Sequence, residues 1–119
     1  MKTVLVVDDD PIFRMVMKRH LREMGFAVVE NDSGEGVVEQ VAQFRPLACL
    51  IDIFMDKKEG LSTIRDIYRL ADKPKVIAVS ADPMYLDMSR DLGADASLRK
   101  PIPFDVLQSV LTQLEVRPG

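Results

Sequence analysis

The chain has 119 residues, of which 47% are hydrophobic and 29% are charged, and its formal net charge is −3. This length and composition predict one soluble globular domain over residues 1–119, and the acidic balance argues against direct binding of nucleic acid. No apolar run approaches the roughly 20 residues of a membrane span, and the N-terminus has no signal-peptide pattern. The lone Cys49 falls in an apolar run, so we expect a reduced, cytoplasmic protein.

The first half of the chain predicts two strand–helix pairs. In order, these are a strand over residues 2–7, a helix over 11–24, a strand over 26–29 and a helix from 33 to about 44. Asp10 followed by Pro11 is typical of a helix start. The aspartate side chain can accept a hydrogen bond from a backbone N–H that has no partner within the helix, and proline has no N–H that would need such a partner. Gly25 is typical of a helix end.

The second half continues the alternation. It predicts strands over residues 47–51, 75–79 and 96–99 and helices over 61–70, 83–92 and from about 103 onward. The side chains that we expect in the core are Ile12, Val16, Leu21 and Met24, then Leu61, Ile64, Ile67 and Tyr68, then Tyr85, Met88 and Leu92, then Phe104, Leu107, Val110, Leu111 and Leu114. Five alternating pairs predict a three-layer α/β domain whose parallel sheet carries helices on both faces.

Four predicted strands end on polar side chains. The first runs into Asp8 and Asp9, the third into Asp52, the fourth into Ser80 and the fifth into Lys100. Ligands of open α/β sheets bind outside the carboxyl ends of the strands, so we expect these groups at one edge. The pattern does not fix the strand order.

This set of residue types suits phosphoryl chemistry. Three carboxylates in one crevice repel one another, and Mg²⁺ with oxygen ligands neutralises such a cluster while leaving room for phosphate. Lys100 supplies a positive charge and Ser80 a hydroxyl donor for phosphoryl oxygens. Asp52 can then act as the nucleophile, since carboxylates form aspartyl phosphates.

Simpler interpretations exist for each of these residues. The aspartates at 8–10 could form a solvated turn, and a helix cap is the favoured role of Asp10. Asp52 could be an ordinary strand-ending residue, and Ser80 a common strand-to-loop serine. Lys100 alone would be read as a surface lysine. His20 lies in the first helix and is expected to face solvent.

The segments VLVVDDDP, LIDIFM, AVSAD and LRKP, in that order, resemble the response-regulator receiver domain of two-component signalling. The resemblance covers essentially the whole chain and implies a flavodoxin-like (βα)5 fold with strand order 2-1-3-4-5. The roles that it implies are Asp52 as phospho-acceptor, Asp8 and Asp9 as Mg²⁺ ligands, the backbone carbonyl of Phe54 as a further ligand, Ser80 and Lys100 as partners of the phosphoryl group, and a cis Lys100–Pro101 bond.

Two positions depart from the family pattern. Met55–Asp56 stands where Met-Pro is usual, which predicts a less rigid loop, and Ser97 stands where an aromatic residue is frequent. The favoured function is a signalling switch phosphorylated by a histidine kinase or histidine phosphotransfer protein, with output through protein contacts. In this interpretation the protein catalyses only its own phosphorylation and dephosphorylation. The alternatives are a binding module that does not use phosphorylation and an aspartyl-phosphate phosphatase, although Phe54 stands where the latter would have a second acid.

Overall fold

Five apolar segments form one parallel sheet in the computed structural model, which describes residues 1–55 and 60–119. Within the described chain the strands are β1 (Thr3–Val7), β2 (Ala27–Asn31), β3 (Ala48–Asp52), β4 (Lys75–Ser80) and β5 (Ala96–Arg99). Their order in the sheet is β2-β1-β3-β4-β5, which confirms the predicted flavodoxin-like arrangement. All five residues of β3 are buried, as expected for a central strand covered on both faces.

The helices between the strands are α1 (Pro11–Met24), α2 (Val37–Phe44), α3 (Gly60–Tyr68), α4 (Pro83–Asp91) and α5 (Phe104–Gln113). Successive strand side chains point to opposite faces of the sheet. Val4 and Val6 therefore join one apolar cluster, beneath α1 and α5. Leu5 and Val7 join the other, beneath α2, α3 and α4. This gives the predicted three layers, and none of the described helices is long and apolar enough to cross a membrane.

The strand register aligns the carboxyl ends of the strands at one edge of the sheet. The paired residues nearest that edge are Val7 with Ile51, Asp52 with Val79, and Ser80 with Arg99. Backbone hydrogen bonds continue past the strands, from Ile53 N–H to the Val79 carbonyl and from Lys100 N–H to the Ser80 carbonyl, at 3.0 and 2.9 Å. The residues that follow β3 and β5 are therefore fixed against β4.

Several predicted details are confirmed. Asp10 caps α1 by accepting a hydrogen bond from Ile12 N–H at 2.9 Å, and Gly25 ends the helix at a φ of 104°. The Lys100–Pro101 bond is cis. Cys49 is buried in β3, where burial raises the pKa of its thiol, so it packs as a small hydrophobic residue.

Three helix side chains predicted for the core are instead largely exposed. Ile12 is 67% exposed, Tyr68 53% and Met88 49%. All three are large apolar residues at or near the borders of apolar stripes, where a helical period of 3.6 leaves the facing side ambiguous. In α4 the buried positions are Leu86 and Ser89, one helical turn apart.

Helix α2 begins at Val37 rather than near residue 33. The side-chain oxygen of Asn31 accepts hydrogen bonds from Ser33 N–H at 3.0 Å and Gly34 N–H at 2.7 Å, which holds this segment in a turn. Gly36 then adopts a φ of 74° immediately before the helix. The remaining boundaries differ from prediction by one or two residues, as helix and strand ends commonly do.

Candidate functional site

Three carboxylates lie together at the carboxyl edge of the sheet, as the sequence predicts. Asp8 and Asp9 follow β1 and Asp52 ends β3, and one carboxylate oxygen from each lies within 4.8 Å of the others. Asp8 and Asp52 are buried, whereas Asp9 is exposed. The cluster therefore has two desolvated members and one that reaches solvent.

Lys100 connects the two buried carboxylates. It follows β5, and its Nζ lies 2.7 Å from Asp8 Oδ2 and 3.5 Å from Asp52 Oδ2. The side chain is 21% exposed, so the ammonium is partly desolvated. The fold thus brings Lys100 into contact with the acidic cluster, although Lys100 and Asp52 are 48 residues apart in the sequence.

The local environment raises the pKa of Asp52 to about 6. Desolvation by burial is the main cause, and the negative charge of Asp8 adds to it. The charge of Lys100 and the Phe54 N–H, which donates to Asp52 Oδ1 at 3.2 Å, act in the opposite direction. Burial works against the charged form of Lys100, but its contacts with Asp8 and Asp52 outweigh this and raise its pKa.

The donor set fits a divalent cation. Asp8 Oδ1 accepts a hydrogen bond from Asp10 N–H at 2.9 Å, but the buried Oδ2 receives no well-directed hydrogen bond from any described residue. Lys100 Nζ approaches that oxygen closely but off the hydrogen-bonding direction, so the contact is an ion pair. A buried carboxylate oxygen with spare acceptor capacity, beside two other carboxylates, is the environment that Mg²⁺ prefers.

Ser80 and Phe54 lie at the same edge. Ser80 ends β4, is buried, and accepts a hydrogen bond from Asp82 N–H through Oγ at 3.0 Å. Phe54 follows Asp52 by two residues, and its exposed ring makes an edge-to-face contact with Tyr85 at 4.5 Å between centroids. Whether the Phe54 carbonyl is a metal ligand stays a prediction.

Of the two positions that depart from the family pattern, the structure describes Ser97 but not Asp56. Ser97 lies in β5 opposite Ala78 and is partly buried, so a small hydroxyl occupies that position of the strand. Asp56, like Lys57–Lys58 and Glu59, lies outside the described residues.

Three further residues shape the site and were not assigned to it from the sequence. Phe13 places its ring against the Lys100 ammonium, with Nζ 4.3 Å from the ring centroid. Arg14 donates a hydrogen bond from Nη1 to the Asp8 carbonyl at 2.7 Å, and its Nε forms an ion pair with the Glu30 carboxylate of β2 at 3.2 Å. Their place in the first turn of α1, directly after the aspartates, is the sequence signal that points to them.

The third residue that shapes the site is Gly60, the first residue of α3, which lies against the end of β3. Its N–H donates to the Ile53 carbonyl at 3.0 Å. A Cβ at this position would collide with the Asp52 carbonyl oxygen and would lie 2.7 Å from Ile53 Cα. Only glycine allows this approach.

Comparison with known proteins identifies relatives of the whole domain. The sequence profile of the response regulator receiver domain family matches residues 4–112. A probable C4-dicarboxylate response regulator, DctR, of Halalkalibacterium halodurans is 33% identical over an alignment of length 116, and the match covers 94% of this chain and 50% of that protein. The chain thus spans about half the length of the curated relatives that it matches.

Solved structures give the same result. The response regulator TrrA of Thermotoga maritima, in complex with Mg²⁺ and BeF, is 30% identical with a TM-score of 0.86, and the match covers 96% of this chain and 99% of that one. The receiver domain of the sensor histidine kinase PA1611 of Pseudomonas aeruginosa, with magnesium in its active-site cleft, is 26% identical with a TM-score of 0.85 over 94% and 95% of the two chains.

Proposed function

The chain belongs to the response regulator receiver domain family, whose members are phosphorylatable signalling switches, and from this premise we propose that Asp52 is its phospho-acceptor. An Asp52 carboxylate oxygen forms a bond to phosphorus while the bond from phosphorus to the donor breaks, and the electron pair leaves with the donor. The natural donor in this proposal is a phosphohistidine of a histidine kinase or histidine phosphotransfer protein.

The observation that carries the proposal is the convergence of Lys100 with Asp8 and Asp52. Lys100 offers the positive charge that a phosphoryl group needs as it approaches an anionic nucleophile. Ser80 lies at the neighbouring strand end with a hydroxyl that can donate to a phosphoryl oxygen. These two side chains bind and orient the incoming group in our proposal.

Asp8, Asp9 and Asp52, with the Phe54 carbonyl, are the groups that would hold Mg²⁺. When bound, the cation supplies positive charge that offsets the repulsion between the carboxylates and the phosphoryl oxygens. The role of the protein is to present Asp52 in its ionised form, and Lys100 and the Phe54 N–H stabilise that form.

The proposal predicts one phosphoryl group on Asp52 after incubation with acetyl phosphate and MgCl₂. Intact mass and peptide mapping measure the label, which should be absent from Asp52→Asn and from samples containing EDTA. Asp87→Asn, which removes an exposed carboxylate from α4, is the matched control and should be labelled like the wild type. A label on another residue, or equal labelling in EDTA, would contradict the proposal, and no label at all would favour a binding module without phosphorylation.

Output in this proposal is through protein contacts, and the downstream partner is not specified by the site. A cytoplasmic location stays a prediction. The activities of the longer relatives belong to those proteins, of whose length this chain matches about half.

A further inference from the structure

The ring of Phe13 lies against the positive charge of Lys100. The distance from Nζ to the ring centroid is 4.3 Å, within the range of about 6 Å over which an aromatic face attracts a cation. Phe13 is partly buried and packs on the apolar cluster beneath α1 and α5, so its ring is not a free surface group.

Among residues 1–55 and 60–119, three groups contact the Lys100 ammonium: Asp8 Oδ2 at 2.7 Å, Asp52 Oδ2 at 3.5 Å and the Phe13 ring. The two carboxylates are charged, and both change their interactions when a cation or a phosphoryl group arrives. The ring is neutral and takes part in neither event. The contact between the ring and Lys100 therefore depends on neither event.

We infer that Phe13 is a positioning residue that holds the Lys100 ammonium beside Asp52 during phosphoryl transfer. This inference rests on the proposed function. As one Asp52 oxygen bonds to phosphorus, the negative charge passes to the phosphoryl oxygens, and Lys100 would then pair with one of them. A lysine side chain has a flexible four-carbon stem, so a contact on its charged end restricts the positions that it samples.

The backbone fixes the ring relative to the acids. Phe13 stands in the first turn of α1, whose start is capped by Asp10 and follows directly on the aspartates. Arg14 ties the same turn to the Asp8 carbonyl at 2.7 Å. The ring and the Asp8 carboxylate accordingly belong to one segment, and Lys100 is held between that segment and Asp52 at the end of β3.

The test compares Phe13→Leu with Phe13→Tyr and with fluorinated phenylalanines at position 13. Fluorination weakens the negative face of the ring with little change in its size, so it separates attraction of the cation from packing. We expect Phe13→Leu to lower the limiting rate constant for labelling by acetyl phosphate about 5-fold, which corresponds to ~1 kcal/mol. Phe13→Tyr should stay close to wild type, and rates should fall in steps from one to three fluorines.

Tyr68→Leu is the matched control, because it removes a second cation–π contact, with Lys73 Nζ 3.8 Å from the Tyr68 ring. It lies outside the site and should leave the rate unchanged. A second readout needs no phosphorylation. In the metal-free protein, the ε-methylene protons of Lys100 should resonate upfield because of the ring current of Phe13, and Phe13→Leu should abolish that shift.

Either of the following results overturns the inference while leaving the proposed function intact: wild-type labelling rates in both Phe13→Leu and the trifluorinated protein, or Lys100 protons with no upfield shift. A wild-type protein that acquires no phosphoryl group on Asp52 refutes the proposed function and this inference with it. Loss of rate in Phe13→Leu without any graded effect of fluorination assigns the ring to packing alone and also overturns the inference.

Discussion

Replacing Asp52 by asparagine should stabilise the protein when no divalent cation is present. Burial and the charge of Asp8 raise the pKa of Asp52 from 3.8 to about 6, so its ionised form is disfavoured in the folded state. A raised folded pKa gives stability that is complete below the unfolded pKa and is lost as the pH rises through about 6. Two pKa units correspond to ~3 kcal/mol, which is an upper bound on the cost of ionised Asp52 near pH 8.

Asparagine has nearly the same shape and no charge, so it removes most of that cost. The loss of the Asp52–Lys100 ion pair is already included in that bound, because the pKa of about 6 is the value in the presence of Lys100. We expect Asp52→Asn to increase the free energy of unfolding by about 1–3 kcal/mol near pH 8, a rise in Tm of roughly 4–12 °C. Because wild-type Asp52 becomes protonated on acidification, the gain should fall to about half near pH 5.

Thermal unfolding followed by circular dichroism, in EDTA at the two pH values, measures both quantities. Asp87→Asn is the control for loss of an exposed carboxylate, and we expect a change within about 0.5 kcal/mol at either pH. Destabilisation by Asp52→Asn near pH 8, or a gain that does not depend on pH, would refute the electrostatic account of the site.

The remaining predictions concern the cation, the backbone and the switch. Mg²⁺ should raise the wild-type Tm, as any ligand of the native state does. Asp9→Asn should stabilise the metal-free protein, because it removes one of the mutually repelling carboxylates, and should reduce the rise in Tm caused by Mg²⁺. Differential scanning calorimetry of the two proteins with and without Mg²⁺ measures these changes. Gly60→Ala should lower the free energy of unfolding by about 1–3 kcal/mol in denaturant titrations, because its Cβ collides with the Asp52 carbonyl. On addition of beryllofluoride and Mg²⁺, amide chemical shifts should change more across residues 81–88 than at Ser97, which is too small to act as a bulky switch; the reverse order would contradict this route.

The sequence predicted those features that depend on local pattern. Apolar runs ending on Asp8, Asp52 and Ser80 identify buried strands and the edge that they share, because the carboxyl ends of parallel strands coincide. The strand order came from the family resemblance and not from periodicity. The predicted start of α2 was wrong. The Asn31 side chain accepts hydrogen bonds from two backbone N–H groups and so forms a turn that the spacing of apolar residues does not reveal.

Contacts between distant segments were outside the reach of such patterns. Phe13 reads as one more apolar residue in an amphipathic helix, and nothing in its neighbourhood indicates Lys100, which is brought beside it by the position of β5 in the sheet. Gly60 likewise reads as a helix-start glycine until the end of β3 is placed against it. In both cases the function of the residue depends on a distance that only the fold defines.

The features that would suit Asp52 for the proposed phosphorylation are also those that reduce the stability of the fold. A nucleophilic carboxylate must be ionised, yet its burial and the nearby charge of Asp8 disfavour ionisation in the metal-free protein. Lys100 compensates only in part, because the pKa of Asp52 remains at about 6 in its presence. A cation at the three carboxylates would supply the missing charge, so the same binding event would favour ionised Asp52 and stabilise the domain. We therefore expect stability and readiness for phosphorylation to rise together with Mg²⁺, and to separate only in variants such as Asp52→Asn that remove the charge itself.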